Sequence, residues 1–434
     1  MIKISNAKLA NGKLVNVEII NGLISKVEGA VGEQVTEGID AKSKLLIPGL
    51  VDLHTHLREP GREDAETVLT GSKSAAAGGY TAISAMANTN PVADNAGVVE
   101  QIYRLGKSAG LVDVNPIGAV TKGLLGEQLA EMGAMADSIA RVRIFSDDGK
   151  CVHDPLIMRR ALEYVKTFNG IIAQHAQEPR LTVNAQMNEG VVSARIGLQG
   201  WPAIAEEAII ARDILLAEHV QSRLHICHVT TAGGVELIRW AKQRGIQVTA
   251  EVTPHHLLLT DELVENYDPI YKVNPPLRTQ KDVQALREGL AEGIIDIVAT
   301  DHAPHSAEDK DCEFQAGAFG MVGLETALSV VVKTMIETKL MSWSELVDRM
   351  SVSPARIGGY EKQGNEIAVG KSANLILIDV DKTWRVDREK FMSKSKNTPF
   401  NGMELPAVIT DVFHNGEHVF KESHVISRKS DNYE

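Results

Sequence analysis

Asp52-Leu-His-Thr-His56 places two histidines two residues apart in an otherwise apolar run. In an extended strand residues i and i+2 project from the same face, so the His54 and His56 imidazoles can chelate one cation together. Taken alone, such a pair is more often solvated or satisfied within a core than metal-binding. Three further apolar runs end on the same ligand types: Ile171-Ile-Ala-Gln-His175, Leu224-His-Ile-Cys-His228 and Ile297-Val-Ala-Thr-Asp301. Four histidines and an aspartate form a nitrogen and oxygen set suited to Zn2+ or a similar borderline cation, with too few carboxylates for a calcium cage. One ion needs fewer ligands, so the set predicts two metals about 3.5 to 4 Å apart, which calls for an anionic ligand to bridge them. Arg58, two positions beyond His56, carries the planar fork that grips a carboxylate.

The elements that must bring these residues together are short and repetitive. Eight apolar runs rich in β-branched residues, at 46–56, 81–88, 112–120, 142–148, 171–175, 224–228, 248–255 and 294–301, alternate with helical stretches such as 64–77 and 205–217. This pattern predicts an α/β chain built as a (β/α)8 TIM barrel rather than an open sheet. In a barrel the C-terminal strand ends form one rim, which would gather His54, His56, Asn88, Asp148, His175, His228 and Asp301 into a single cavity. The two ends of the chain read differently. Val15-Asn-Val-Glu-Ile-Ile and Leu23-Ile-Ser-Lys-Val alternate apolar with polar between Asn-Gly turns, and similar patterning returns at Ala373-Asn-Leu-Ile-Leu-Ile-Asp-Val and Val408-Ile-Thr-Asp-Val. Residues 1–48 and 355–434 are therefore expected to form one small β-sandwich domain, with 49–354 as the catalytic barrel.

The segment Asp52-Leu-His-Thr-His-Leu-Arg-Glu-Pro-Gly61 resembles the signature of the dihydroorotase family of the amidohydrolase superfamily. Met86-Ala-Asn-Thr-Asn-Pro91, Phe145-Ser-Asp-Asp-Gly149, Lys272-Val-Asn-Pro-Pro-Leu-Arg278, Ala299-Thr-Asp-His-Ala-Pro-His305 and Asn397-Thr-Pro-Phe resemble further segments of the bacterial type I enzymes, in order and at compatible spacing. Singly these motifs are moderately specific, and jointly they are specific. The resemblance implies that His54, His56 and Asp301 bind one Zn2+ and His175 and His228 a second, bridged by Asp148 and a hydroxide. Lys150 raises a bridging lysine as an alternative, although it lies beyond Gly149 and off the strand end. The reaction implied is the reversible opening of dihydroorotate to N-carbamoyl-L-aspartate in pyrimidine biosynthesis, with Asp301 as general base and acid. The resemblance adds His56, Asn88, Asn274, His305 and the backbone of Phe319 and Gly320 to Arg58 as substrate contacts. It also admits a homodimer and an association with aspartate carbamoyltransferase. Ala87 departs from the proline expected before Asn88.

Composition narrows the alternatives. Forty-five basic against fifty-seven acidic side chains give a net charge of -12 with no long block of either sign, which disfavours nucleic acid or an anionic membrane as partner. No apolar run approaches the roughly 20 residues of a membrane span. The three cysteines, Cys151, Cys227 and Cys312, are widely spaced and lack a CxxC pair, which fits a reducing cytoplasm. Strand alternation would turn Cys227 away from the ligands. His255, His256 and His302 are candidates for orienting them, and residues 302–323 for a loop covering the site. The rival readings are an allantoinase or dihydropyrimidinase (hydantoinase) acting on another ring, and a non-catalytic scaffold. Arg58 and Asn88 argue against the first, and the full ligand set against the second.

Overall fold

The computed structural model describes residues 1–426 apart from positions 31, 33, 34 and 36; those positions and 427–434 of the expected terminal domain lie outside the described residues. Eight short parallel strands carry the functional ends: β1 (Leu50–Thr55), β2 (Tyr80–Ala85), β3 (Asp113–Pro116), β4 (Ile144–Phe145), β5 (Ile171–Gln174), β6 (Leu224–Ile226), β7 (Val248–Val252) and β8 (Ile297–Val298). β1 to β3 pair in order as one sheet and β4 to β8 as a second. Isolated parallel bridges join the two, Gly118 to Phe145 beyond β3 and Thr55 to His302 beyond β8.

The helices between strands begin where side-chain caps satisfy their free N–H groups. Thr67 caps Val68–Ala77, so the helix expected from residue 64 starts later, while the stretch expected at 205–217 runs Ile204–Val220. Their apolar faces pack with the strands into the main core, which includes Val99, Ile102, Leu162, Ile210, Ile238 and Leu290. A separate apolar cluster draws Val51, Leu53, Ala82, Ile144, Ile171, Ala173 and Ile297 from strands of both sheets.

The chain ends meet in one nine-stranded sheet, in which Leu45–Pro48 pairs antiparallel with Leu375–Arg385 and parallel with Ile2–Lys8. Its central strands are buried on both faces with period two. Leu46, Leu375 and Leu377 face a core with Ile4, Val17 and Phe413, whereas Leu45, Ile47, Ile376 and Ile378 face the main core. The run expected as one strand at 46–56 is therefore two strands in different sheets. The break falls at Gly49, where the backbone comes so close to Thr81 that a Cβ would lie 2.3 Å from its side chain. Among the described residues no helix is long and apolar enough to cross a membrane.

Candidate metal and substrate site

β1 ends on the two histidines, and its pairing with β2 shifts register between Asp52 and Thr55. Asp52, fully buried, fixes this irregular stretch: one carboxylate oxygen accepts from His54 N at 3.0 Å and the other from Thr300 Oγ1 at 2.6 Å. Burial pushes its carboxyl up to about 7 despite these donors. Asp148 lies three residues beyond β4, its N–H donating to Ser146 Oγ at 3.1 Å. Its neighbour Asp147 turns away and accepts from Val120 N and Thr121 N. Asp301 has φ +48° and His228 φ +29°, left-handed backbone that costs energy in non-glycine residues and recurs at functional sites.

The sequence-predicted ligands converge. Asp148 Oδ2 lies 3.3 Å from both His54 Nε2 and His56 Nε2, while Asp301 Oδ1 lies 3.4 Å and 3.0 Å from the same nitrogens. Asp148 Oδ1 faces the other pair, at 3.3 Å from His175 Nδ1 and 3.1 Å from His228 Nε2, and those nitrogens are 3.0 Å apart. Donors about 2.0 to 2.2 Å from a tetrahedral ion stand about 3.3 to 3.6 Å from one another, so both sets have the spacing of a ligand shell. His54 Nε2 is buried and has no hydrogen-bond partner among the described residues, as expected of an atom reserved for a cation. Burial disfavours charge on His54, yet Asp148, Glu251 and Asp301 hold its imidazole well above the ordinary range. Asp148, for all its burial, is held well below the carboxylate range by His54, His175 and His228. The cavity calls for positive charge, and its donor set fits divalent metal. Lys150 is exposed and outside it.

Three residues absent from the sequence expectations, or present in another role, set the imidazole tautomers. Glu251 Oε1 lies 2.5 Å from His54 Nδ1, Asn88 Oδ1 2.8 Å from His56 Nδ1, and Gln177 Oε1 2.8 Å from His175 Nε2. Each takes the outer N–H and leaves the inner nitrogen bare. A carboxylate in the apolar run Val248-Thr-Ala-Glu-Val was the available signal for Glu251; Gln177 had none. Of the histidines expected to orient ligands, His256 bonds Thr253 Oγ1 and Pro275 O, His302 bonds Glu66 and Gly323 N, and the His255 ring packs tilted at 48° against that of His256. None of the three bonds a ligand side chain. Cys227 packs in the buried apolar cluster with Val51, Ile171 and Ala173, as the reading of a small buried hydrophobe expects, and it groups with His54 and Glu251 within 4.8 Å. Burial pushes its thiol well up, so it remains a protonated, inert group.

Arg58 donates Nε–H to Pro304 O at 2.9 Å and brings Nη2 to 3.3 Å from His305 Nε2. Burial lowers it to about 10, so it stays charged at neutral pH. His305, lowered to about 3 by burial and by Arg58, is neutral there, and its Nε2 lies 2.8 Å from Phe319 O. A Cβ on Gly320 would meet His305 Nε2 at 2.8 Å, so this position admits only glycine. Asn274 Nδ2 approaches Gln177 Oε1 at 3.4 Å, and its buried Oδ1 has no partner among the described residues. The expected covering loop is fastened: Lys310 Nζ donates to Pro269, Lys272 and Ala318 carbonyls, and Lys272 Nζ to those of Phe314 and Gln315.

Parallel strands that deliver a histidine and aspartate cluster from their C-terminal ends place the chain among the amidohydrolases, the class of its structural neighbours. Similar solved structures include the L-hydantoinase (dihydropyrimidinase) of Arthrobacter aurescens, with a TM-score of 0.86 at 25% identity over 98% of this chain and 97% of that one. A dihydropyrimidinase of Brevibacillus agri follows at 0.82 and 21%, over 98% and 96%. A family model described as dihydro-orotase-like matches residues 43–233. The chain is 63% identical to a dihydroorotase of Streptomyces coelicolor, over 95% of this chain and 97% of that protein. For those of Leifsonia xyli and Mycobacterium tuberculosis the figures are 59% over 95% and 94%, and 58% over 86% of each. It belongs to the dihydroorotase family.

Proposed function

We propose that the chain catalyses the reversible hydrolysis of (S)-dihydroorotate to N-carbamoyl-L-aspartate, the cyclic amide step of pyrimidine biosynthesis. The observation that carries this reading is Asp148, whose two oxygens face two separate donor sets, with the Arg58 guanidinium held through Pro304 O, three residues beyond Asp301. His54, His56 and Asp301 would hold one zinc ion and His175 and His228 a second, with Asp148, which faces both sets, as their shared ligand. When bound, the pair supplies Lewis acidity to the amide carbonyl and lowers the pKa of water to about 7.

Asp301 takes a proton from the attacking water and returns it to the ring nitrogen as the C–N bond breaks; in ring closure the same carboxyl works in reverse. Arg58, Asn88 and His305 hold the substrate carboxylate beside His56, and Asn274 holds the ring, along with the backbone around Phe319 and Gly320. An uncharged pyrimidine or hydantoin would leave Arg58 without its partner, which separates this reading from a dihydropyrimidinase. The eight parallel strands close into a (β/α)8 barrel at 49–354, and 1–48 with 355–434 form a β-sandwich domain; the Thr55–His302 and Gly118–Phe145 bridges and the shared terminal sheet support this division. The free thiols accord with a cytoplasmic enzyme. A homodimer and association with aspartate carbamoyltransferase complete the proposal.

The test is to follow ring opening of L-dihydroorotate, hydantoin and allantoin side by side, with metal content measured on the same sample. The expected result is turnover of dihydroorotate alone, with two zinc ions per chain. Turnover of allantoin alone would overturn the reading, and fewer than one metal per chain with no turnover would favour a scaffold.

A further inference from the structure

The Asn397-Thr-Pro-Phe motif has no part in the chemistry above, yet its first side chain reaches the neck of the loop that carries the substrate contacts. Asn397 is buried, and its carboxamide makes three bonds to backbone: Nδ2 donates to Ala303 O at 3.0 Å and Gly320 O at 3.2 Å, and Oδ1 accepts from His305 N at 3.2 Å. Its own carbonyl accepts from Val322 N at 3.1 Å. One residue thus joins the outgoing end of the loop, at Ala303 and His305, to the returning end, its carboxamide at Gly320 and its main-chain carbonyl at Val322.

We propose that Asn397 is a positioning residue that sets the substrate-carboxylate site by fixing the distance between His305 and Phe319-Gly320. The tolerance there is small. His305 Nε2 sits 2.8 Å from Phe319 O, and Gly320 packs so closely on His305 that no side chain fits. Arg58 hangs on the same backbone through Pro304 O. The body of the loop has a separate fastening in Lys310, whose ammonium meets the carbonyls of Pro269, Lys272 and Ala318 at 2.7 to 3.0 Å. Asp301 is held independently, because Thr300 is bonded to Asp52. Loosening the neck therefore displaces the carboxylate contacts while the donor cluster keeps its geometry.

The chemistry of the site dictates the side chain. Two carbonyls and one N–H require a group with two donors and one acceptor at a fixed separation, which is a carboxamide. Aspartate has the same shape and no donor, and would set its oxygens against two carbonyls.

The inference rests on the carboxylate site proposed above and is tested on the full-length, metal-loaded chain. Asn397→Asp is expected to raise KM for dihydroorotate and for N-carbamoyl-L-aspartate about 10- to 100-fold, with kcat and zinc content little changed and the thermal midpoint lowered. Asn397→Ser, smaller but uncharged, is expected to raise KM less. A role in filling space alone would reverse that order, since aspartate keeps the volume. If Asn397→Asp fails to fold, Asn397→Ser carries the test, with raised KM and retained kcat. KM within about twofold of the unsubstituted chain, or a fall in kcat at constant KM, would overturn the inference. Absence of dihydroorotate turnover by the unsubstituted chain would instead remove the proposed function.

Discussion

Asp52 accepts two hydrogen bonds from Thr300, one from its N–H at 3.1 Å and one from its hydroxyl at 2.6 Å, across 248 residues of chain. This ties the strand bearing His54 and His56 to the segment bearing Asp301, so the two sides of one ligand set share a single fastening. Removing the hydroxyl in Thr300→Val leaves a buried carboxylate short of a donor and is expected to cost about 1.5 to 3 kcal/mol of stability. The displaced Asp301 should lower kcat by about tenfold or more. Chemical denaturation and steady-state kinetics on the same preparation check both; full kcat in a destabilised variant would show that Asp301 is held by other means.

Glu251 governs metal retention through His54. Burial works against its charge, but His54 and His225 outweigh burial and keep the carboxyl well below its ordinary range. Its oxygens also accept from His228 N at 3.2 Å and contact His225 Nε2 at 3.0 Å. Glu251→Gln is expected to weaken metal binding about 10- to 100-fold, the usual cost of losing a partner behind a ligating histidine. Dialysis against graded chelator with metal analysis measures this, and unchanged retention would refute it.

Arg58→Met should act on substrate affinity. A charge-assisted hydrogen bond is worth about 1.5 to 3 kcal/mol, which corresponds to a rise in KM of about 10- to 100-fold. Metal content should change little, because the hydrogen bonds of Arg58 go to Pro304 O and His305 and none goes to a residue of the donor cluster. An unaltered KM would remove Arg58 from the substrate site.

Stability should fall as pH rises from about 4.5 to 7, and Glu325 is one cause. It is buried where it accepts from Ser74 Oγ, Met392 N and Ser393 N, yet burial outweighs these donors and pushes it up to about 7 from 4.5. Between those values the native state holds a proton that the unfolded chain has released, so raising pH favours unfolding, by up to about 3 kcal/mol for this group. Asp213, raised to about 6 by burial, acts in the same direction. Urea denaturation at pH 5 and pH 8 should show the loss, and Glu325→Gln should shrink it. An equal loss in the variant would absolve Glu325.

The sequence by itself determined the ligand types, their order and the alternation of strand with helix, because these are local. A two-residue period puts His54 and His56 on one face, and apolar runs ending in His175, His228 and Asp301 mark strand ends whatever they pack against. It also held the relation between the chain ends, since alternation at 15–20 and 373–380 is that of an antiparallel sheet. Local periodicity reaches its limit where the extended run is interrupted: it ran β1 through Gly49 into the next sheet, and it could not foresee His228 at φ +29°.

Only the tertiary structure decided which nitrogen of each histidine faces inward, because the partners that choose it come from elsewhere in the chain: Glu251 for His54, Asn88 for His56. The same holds for the two faces of Asp148, and for Asn397, whose carboxamide meets Ala303 from 94 residues away. Such contacts are set by the packing of whole strands and loops, and no spacing along the sequence encodes a distance across the cavity.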